Sequence, residues 1–341
     1  MCSSDTFTVE AGKSSVQWGP DQKMLDAFLR NGVWVPNSCN QGTCGTCKVR
    51  VVRGTVDHPP APDTVLSIAE QEQGFVLSCQ TTPASDVVID PPAEETGSPR
   101  HVLRDIAGTV GAVTSIADDT VSVTVLFDEP LEFTAGQYVE LTVPGTVETR
   151  PYSMANPPSE PDKLEFHIRR QPGGLATEGW IFESLDVGDP VTMSGPWGDF
   201  CYEPEESGVG LVLLVGGTGL APLKAIARAA LQDDPEREIH VYHGVRTRAE
   251  LYDVDFWEGL ATTYPAVRYI PCLSREQWPG RTGYVGDAMM EDLPSCRNHA
   301  AYLCGPPAMV EAGVKALKRR RIPPRRIRRE KYTPAVSLAA V

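Results

Sequence analysis

The chain holds nine cysteines in 341 residues, and four of them keep a spacing that can do chemistry. Cys39, Cys44 and Cys47 share one loop with the pattern C-x4-C-x2-C, and Cys79 follows after 31 intervening residues. Two tetrahedral irons bridged by two sulfides need four thiolates, and this spacing supplies them for a [2Fe–2S] cluster. Gly42 and Gly45 fit that use. Without Cβ atoms the backbone can wrap closely and aim its N–H groups at negatively charged sulfur. A four-cysteine zinc site has the same ligand number and type, although such sites usually pair two C-x2-C knuckles. Cys44-Gly45-Thr46-Cys47 alone could be a redox dithiol, but no βαβ pattern surrounds it. Cys2, Cys201, Cys272 and Cys296 are scattered and read as structural.

The run Cys39-Asn40-Gln41-Gly42-Thr43-Cys44-Gly45-Thr46-Cys47 resembles the plant-type ferredoxin domain of the NADH-dependent reductases that feed bacterial oxygenases. Asn40 stands where many relatives carry arginine. Further along, Arg150-Pro151-Tyr152-Ser153 resembles the R-x-Y-S signature of the ferredoxin–NADP⁺ reductase superfamily. A flavin needs a flat wall, a hydrogen bond near its reactive N5 and a cation for its phosphates. The resemblance gives these roles to Tyr152, Ser153 and Arg150. It also implies flavin contacts for His167 and Ile168, and pyrophosphate contacts for the turn Gly174-Leu175-Ala176-Thr177. A helix start suits an anion on dipole grounds alone. Gly195-Pro196-Trp197-Gly198-Asp199-Phe200 is similar to the G-P-x-G-x-F turn of the same superfamily. Domain order favours FAD over FMN, because relatives with an N-terminal ferredoxin domain usually carry FAD.

Val215-Gly216-Gly217-Thr218-Gly219-Leu220-Ala221-Pro222 follows an apolar run and precedes a helical pattern. Such glycines let backbone approach a dinucleotide pyrophosphate. The string resembles the G-G-T-G-x-A-P motif of the superfamily, and Cys304-Gly305-Pro306-Pro307 resembles its C-G-P-P motif. The resemblance places Cys304, Gly305 and Pro306 near the nicotinamide. It also makes Glu330 and Tyr332 candidates beside the flavin. Arg246 and Arg248 could meet a 2′-phosphate, but Arg246-Thr247 through Leu251-Tyr252 resembles the R-T-x-x-x-L-Y segment of NADH-using relatives, so NADH is expected.

Three blocks must position these residues. Residues 1–90 carry the cysteine loop, and the resemblance implies an α+β β-grasp ferredoxin domain. A strand is expected at Phe7–Val9, a helix through Met24 and Leu29 with Pro20 in its first turn, and strands at Lys48–Val52 and Val87–Ile89. Ser67-Ile68-Ala69-Glu70 is a capping-box pattern. Residues 91–100 are rich in Pro, Gly and acid and read as a linker. Residues 101–205 hold short β-branched runs (Val121–Phe127, Tyr138–Val143, Leu164–Ile168, Val191–Met193), which suggest an antiparallel β-barrel or sandwich. Only Ala176–Leu185 looks helical there. In residues 206–335 the continuous apolar run Leu211–Val215 reads as a strand buried on both faces. Strands at Ile239–Tyr242, Val267–Ile270 and Ala301–Leu303 alternate with helical stretches, one near Pro222–Leu231. That is an α/β doubly wound nucleotide-binding domain.

Composition agrees with a soluble globular chain, at 41% hydrophobic and 22% charged residues. The net charge of −14 argues against binding nucleic acid or an anionic membrane. It is an average. Residues 315–341 carry ten basic side chains and one acid, which leaves 21 basic and 44 acidic side chains in residues 1–314. This basic end reads first as a solvated helix face; a docking patch for an acidic partner or for the chain's own ferredoxin domain is a secondary expectation. No signal peptide is visible, so a cytoplasmic protein is expected, and a monomer.

Taken together, the residues and the resemblance imply an NADH–FAD–[2Fe–2S] electron path to a separate oxygenase component. Hydride brings two electrons, the cluster takes one at a time, and a flavin converts between them. A di-iron monooxygenase hydroxylase is the favoured acceptor. A Rieske-type ring-hydroxylating dioxygenase is the alternative. A redox sensor without an oxygenase partner and a zinc-bearing flavin reductase stay open.

Overall fold

The computed structural model describes residues 6–91 and 101–333. The expected linker therefore lies, from residue 92 onward, outside the described residues. The chain divides into two compact units. Residues 1–105 with 194–199 form the first, and residues 106–193 with 200–341 form the second.

In the first unit a five-stranded sheet has the order β2-β1-β7-β3-β5, and a two-stranded sheet pairs β4 with β6. The strands are β1 (Phe7–Ala11), β2 (Ser14–Trp18), β3 (Lys48–Arg53), β4 (Val56–Asp57), β5 (Phe75–Leu77), β6 (Thr82–Pro83) and β7 (Val87–Ile89). Alternation builds the core side of β1 and β2, where Val9, Ala11, Val16 and Trp18 are buried. Helix α1 (Met24–Arg30) packs Met24, Leu25, Phe28 and Leu29 into that core. Pro20 lies before this helix. The Gln22 N–H donates to the Gly19 carbonyl at 3.2 Å, so Pro20 takes the second position of a turn, where its fixed φ fits. Helix α2 (Ile68–Glu72) starts on the expected capping box. Ser67 Oγ accepts from the Glu70 N–H, and Glu70 reaches back to the Ser67 N–H at 2.8 Å.

The second unit contains two sheets. The strands β8 (Arg104–Ala117), β9 (Thr120–Leu126), β10 (Tyr138–Thr142), β11 (Thr149–Ser153), β12 (Lys163–Arg169) and β13 (Pro190–Trp197) join in the order β11-β10-β13-β8-β9-β12. Their inward residues, among them Val123, Val125, Val139, Leu164, Phe166 and Ile168, form one core. Two strands run beyond the β-branched signal. Strand β8 is long and glycine-bearing, and β11 is made of the Thr149-Arg150-Pro151-Tyr152-Ser153 motif itself. The helix expected at Ala176–Leu185 shortens to a π-type turn, Thr177–Ile181. Here the N–H groups of Gly179, Ile181 and Phe182 donate to the carbonyls five residues back.

The other sheet has the order β17-β16-β15-β14-β18-β19, and all of these neighbours run parallel. Its strands are β14 (Gly210–Gly216), β15 (Ile239–Val245), β16 (Val267–Leu273), β17 (Arg281–Thr282), β18 (His299–Gly305) and β19 (Ile327–Lys331). Every residue of β14 and β18 is buried, as the continuous apolar runs require. Helices α3 (Leu220–Asp233) and α4 (Val254–Thr263) cover one face, through Leu223, Ile226 and Trp257. Helices α5 (Val285–Asp292) and α6 (Pro307–Arg319) cover the other, through Met289, Val310 and Leu317. The doubly wound expectation thus holds, with α3 starting two residues earlier than expected. No described helix is long and apolar enough to cross a membrane.

Candidate functional site

The cysteine loop is held by backbone rather than by side-chain packing. Gly42 and Gly45 adopt φ of +73° and +77°, which L-residues with a Cβ disfavour. Asn40 also has a positive φ, 54°, a conformation that asparagine tolerates better than arginine. The N–H groups of Gln41 and Thr43 both donate to Cys39 Sγ at 3.4 Å. Cys79 comes from another segment but is tied to the same place. The Ser78 N–H and hydroxyl both donate to the Cys47 carbonyl at 3.0 Å. The first N–H groups of α1, from Met24 and Leu25, donate to the Thr81 and Ser78 carbonyls. Cys47 and Cys79 place their sulfurs 3.2 Å apart.

The four sulfurs fall into two hydrogen-bonded pairs, Cys39 with Cys44 and Cys47 with Cys79. A hydrogen bond from Cys44 lowers the Cys39 pKa to about 4, against burial, with help from Thr43 and Gln41. A hydrogen bond from Cys79 lowers Cys47 to about 7, again against burial. Cys44 and Cys79, the donors in these pairs, are pushed well up by the same hydrogen bonds and by burial, so each pair shares a proton; the fixed donors to sulfur are the Gln41 and Thr43 N–H groups on Cys39. These four cysteines fit a [2Fe–2S] cluster.

In the second unit, four predicted residues from three segments converge. Ser153 ends β11, Cys304 sits near the end of β18, and Glu330 and Tyr332 lie on and just after β19. The Tyr332 hydroxyl donates to Ser153 Oγ at 2.9 Å. Ser153 in turn donates to Glu330 Oε2 at 3.4 Å, and the Cys304 thiol donates to the same oxygen at 3.7 Å. Burial and the neighbouring Glu330 charge push the Cys304 thiol pKa well up, so it stays a neutral thiol. The register of β18 with β19 pairs Cys304 with Glu330. That pairing brings the end of the chain to the motif on β11.

The glycine loop explains itself residue by residue. A Cβ on Gly216 would lie 2.6 Å from Pro306 Cδ, and one on Gly219 would lie 2.2 Å from the Cys304 carbonyl oxygen. These two glycines let the loops after β14 and β18 touch. Gly217, with φ of +56°, has only Arg169 near its missing side chain, at 3.9 Å. Gly217 and Thr218 line a pocket with Asp119, Thr120, Arg169, Glu250 and Tyr252. The space on the strand side is thus filled by protein, and the open side faces the pocket.

The comparisons with known proteins match three regions of the chain. Residues 7–84 match the 2Fe-2S iron-sulfur cluster binding domain, 108–202 the oxidoreductase FAD-binding domain and 213–315 the oxidoreductase NAD-binding domain. The chain is 53% identical over 333 residues to the reductase subunit of an aromatic O-demethylase from an Amycolatopsis strain, covering 97% of this chain and 99% of that one. The chain belongs to the family of reductase components of multicomponent oxygenases. The reductase component of a Pseudomonas phenol 2-monooxygenase is 37% identical, with 96% of this chain and 94% of that one covered. The solved structure of an Amycolatopsis cytochrome P450 reductase superposes with a TM-score of 0.93 at 52% identity, covering 97% of this chain and all of that one. The ferredoxin reductase of a carbazole 1,9a-dioxygenase gives 0.82 at 27%, covering 96% of this chain and 98% of that one. The reductase is an oxidoreductase with [2Fe–2S], FAD and NAD domains that serves a separate oxygenase component.

The remaining predicted residues of the reductase divide into two groups. Tyr152 is tilted against Phe166 with centroids 6.4 Å apart. Arg150 is half-buried and pairs with Glu148 at 2.9 Å. Thr177 Oγ1 accepts from the Gln171 N–H at 3.1 Å, and a Cβ on Gly174 would strike that oxygen at 2.5 Å. The turn Gly174–Thr177 is therefore closed on itself, with Leu175 outside at 45% exposure. By contrast, the side chains of Ile168 and Ala176 point into the barrel core, so only their backbone is open to a cofactor.

His167 opens onto a feature that spacing did not reveal. Strand β12 meets the nucleotide-binding sheet through ion pairs. Lys224 on α3 bonds Glu165 at 3.1 Å and Asp253 at 2.8 Å, and His167 Nε2 lies 2.9 Å from Glu165. Arg169 pairs with Glu250 at 3.0 Å. Burial pushes the Glu165 carboxyl up, but the His167 hydrogen bond and the Lys224 charge outweigh it and hold the pKa at about 2. One local signal exists: Asp253 has a φ of 55°, which aspartate tolerates. Lys224 gives none, being one lysine in an apolar helix.

The basic end is partly committed inside the fold. Arg326 and Arg328 pair with Glu205, Arg328 also with Glu203, and Lys331 with Glu311. Arg319 and Arg321 are exposed.

Proposed function

We propose that the reductase takes hydride from NADH at the Ser153–Cys304–Glu330–Tyr332 constellation and passes electrons, through FAD and the [2Fe–2S] cluster, to a haem monooxygenase of the aromatic O-demethylase type. The observation that carries the redox reading is the hydrogen-bonded cluster of those four side chains: Ser153 and Cys304 both donate to Glu330 Oε2, and Tyr332 donates to Ser153 Oγ. FAD, when bound, accepts two electrons together and releases them singly. The residues of the chain do the positioning. Glu330 accepts from Ser153 and Cys304, which fixes the rotamer of the serine hydroxyl that would face the flavin N5. Tyr332 holds that hydroxyl from the other side. Cys304 contributes as a neutral, buried thiol, a small contact beside the nicotinamide rather than a nucleophile. Arg150 and the Gly174–Thr177 turn would take the FAD pyrophosphate. Gly217 and Thr218 would take that of NADH. Cys39, Cys44, Cys47 and Cys79 would hold the cluster.

NADH is preferred because Arg246, one cation available for a 2′-phosphate, is turned onto Glu250, with its Nε 2.6 Å from Oε1. We assign domain limits of 1–90, 101–205 and 206–335, and a monomeric cytoplasmic protein. The acceptor class follows the O-demethylase relative at 53% identity and the cytochrome P450 reductase structure at 52%. The second reading, a di-iron hydroxylase, is favoured by the phenol hydroxylase relatives at 36% and 37%. Reconstitution separates them. Under carbon monoxide and NADH, a partner P450 should develop its reduced haem–CO band at a rate proportional to reductase. Failure with the haem enzyme, together with NADH-driven turnover of a di-iron hydroxylase, would reverse the assignment.

A further inference from the structure

At the amino-terminal edge of the nucleotide-binding sheet, opposite the end that carries the glycine loop, three side chains meet. Glu238 precedes β15, His240 is its second residue, and His299 opens β18. The two strands are not neighbours, because β14 runs between them. Register places Gly210 of β14 beside His299 and Val212 beside His240. Gly210 makes the meeting possible. A Cβ there would stand 2.8 Å from His299 Cδ2 and 3.0 Å from its Nε2. The imidazoles therefore approach across an absent side chain, at 6.2 Å between centroids and nearly edge to face.

The donor set is well defined. His240 Nε2 lies 2.8 Å from Glu238 Oε1, and His299 Nε2 lies 3.8 Å from Glu238 Oε2. One ligand atom from each residue falls within 4.8 Å of the others. His299 is 8% exposed, and neither of its ring nitrogens has a hydrogen-bond partner. A buried imidazole left this way bears the desolvation cost of its nitrogens with no hydrogen bond to offset it. Glu238 is 54% exposed in its side chain, so its carboxylate can swing to admit and cover an ion.

We propose that Glu238, His240 and His299 form a site for a divalent transition-metal ion, zinc foremost, that clamps β15 to β18 across β14. Two imidazoles with one carboxylate suit zinc and its first-row neighbours. They do not suit magnesium or calcium, which need oxygen ligands. Metal–ligand bonds near 2.1 Å require the three atoms to draw closer by a small torsion, which falls to the exposed glutamate. The β14 strand of seven residues separates this edge from the dinucleotide loop, a span of roughly 20 Å, so the ion is structural and stands outside the electron path. Arg268, beside His240 in register, competes for Glu238 and sets the hurdle the ion must pass.

The test is zinc titration of the holoenzyme by calorimetry in a non-chelating buffer, with cluster and flavin absorbance recorded throughout. One equivalent should bind without loss of either chromophore. Glu238→Gln should weaken binding by at least about tenfold, and His240→Gln with His299→Gln should remove it. NADH:ferricyanide activity should stay at the wild-type level in each. If the double variant does not fold, the exposed Glu238→Gln substitution decides alone. Absence of binding up to about 1 mM zinc, equal affinity in Glu238→Gln, or binding that consumes the cluster absorbance would overturn the proposal.

Discussion

The two redox sites of this reductase are built in opposite ways. In the first unit three of the four proposed cluster ligands come from nine consecutive residues, Cys39 to Cys47, and the loop is shaped by positive-φ backbone and N–H donors. In the second unit the proposed hydride site joins Ser153 to Tyr332, 179 positions away, and depends on a sheet register that seats Glu330 beside Cys304. One site is local and carried by backbone. The other is global and carried by packing. A local site should fail alone when a ligand is removed, whereas a packed site should fail by displacement, even from substitutions that touch no cofactor.

The largest effect should come from a cluster ligand. Cys79→Ala removes a thiolate that no other described residue can replace. Transfer to cluster-dependent acceptors should drop by at least about a hundredfold, while NADH-to-ferricyanide activity through the flavin persists. Loss of both activities together would erase the distinction between the sites.

Next, Gly219→Ala tests failure by displacement. Its Cβ would stand 2.2 Å from the Cys304 carbonyl oxygen and 2.5 Å from its carbon, so β18 must shift. The rate of flavin reduction by NADH should fall by about tenfold or more, with the cluster spectrum unchanged. Rapid-mixing absorbance gives both readings.

Glu250→Gln is expected to act more gently. Loss of the carboxylate charge frees Arg246, whose pKa is raised chiefly by its hydrogen bond to Glu250. Discrimination against NADPH, measured as the ratio of kcat/KM values, should narrow by up to about tenfold. An unchanged ratio would remove Glu250 from the specificity argument.

Acid should produce the smallest and most graded change. Burial holds the His243 pKa at about 4, below the value of about 6.5 expected unfolded. The unfolded chain therefore binds the extra proton first. The stability that His243 contributes is complete above about pH 6.5 and drains as pH falls toward 4. Glu165, held at about 2, keeps its contribution down to the unfolded carboxylate range near pH 4 and loses it below. Flavin fluorescence on acidification should rise over the first window, and His243→Asn should flatten that early slope.

The same contrast governs what could be read from sequence. The cysteines proposed as cluster ligands stand out because iron coordination favours a short spacing, and the capping box at Ser67 is legible because it spans three residues. The continuous apolar strands β14 and β18 announced the parallel sheet. Glu330 and Tyr332 carried no spacing signal and entered only through resemblance. Lys224, Asp253 and Glu165 had no signal of that kind, because their meeting follows from how β12 lies on α3. Gly219 looked like a residue for cofactor approach, yet its surroundings show that the Cys304 backbone already requires a glycine there.

The central claim is that two independently built sites act in series, flavin first and cluster second. Anaerobic rapid mixing with NADH, followed by stopped-flow visible absorbance and freeze-quench EPR, tests it most directly. The account predicts that the flavin bleaches first and that a rhombic [2Fe–2S] signal then grows in the wild type. In Cys79→Ala the flavin should bleach with no such signal. A wild-type cluster that stays oxidised beside a fully reduced flavin, or one that reduces before the flavin, would contradict it.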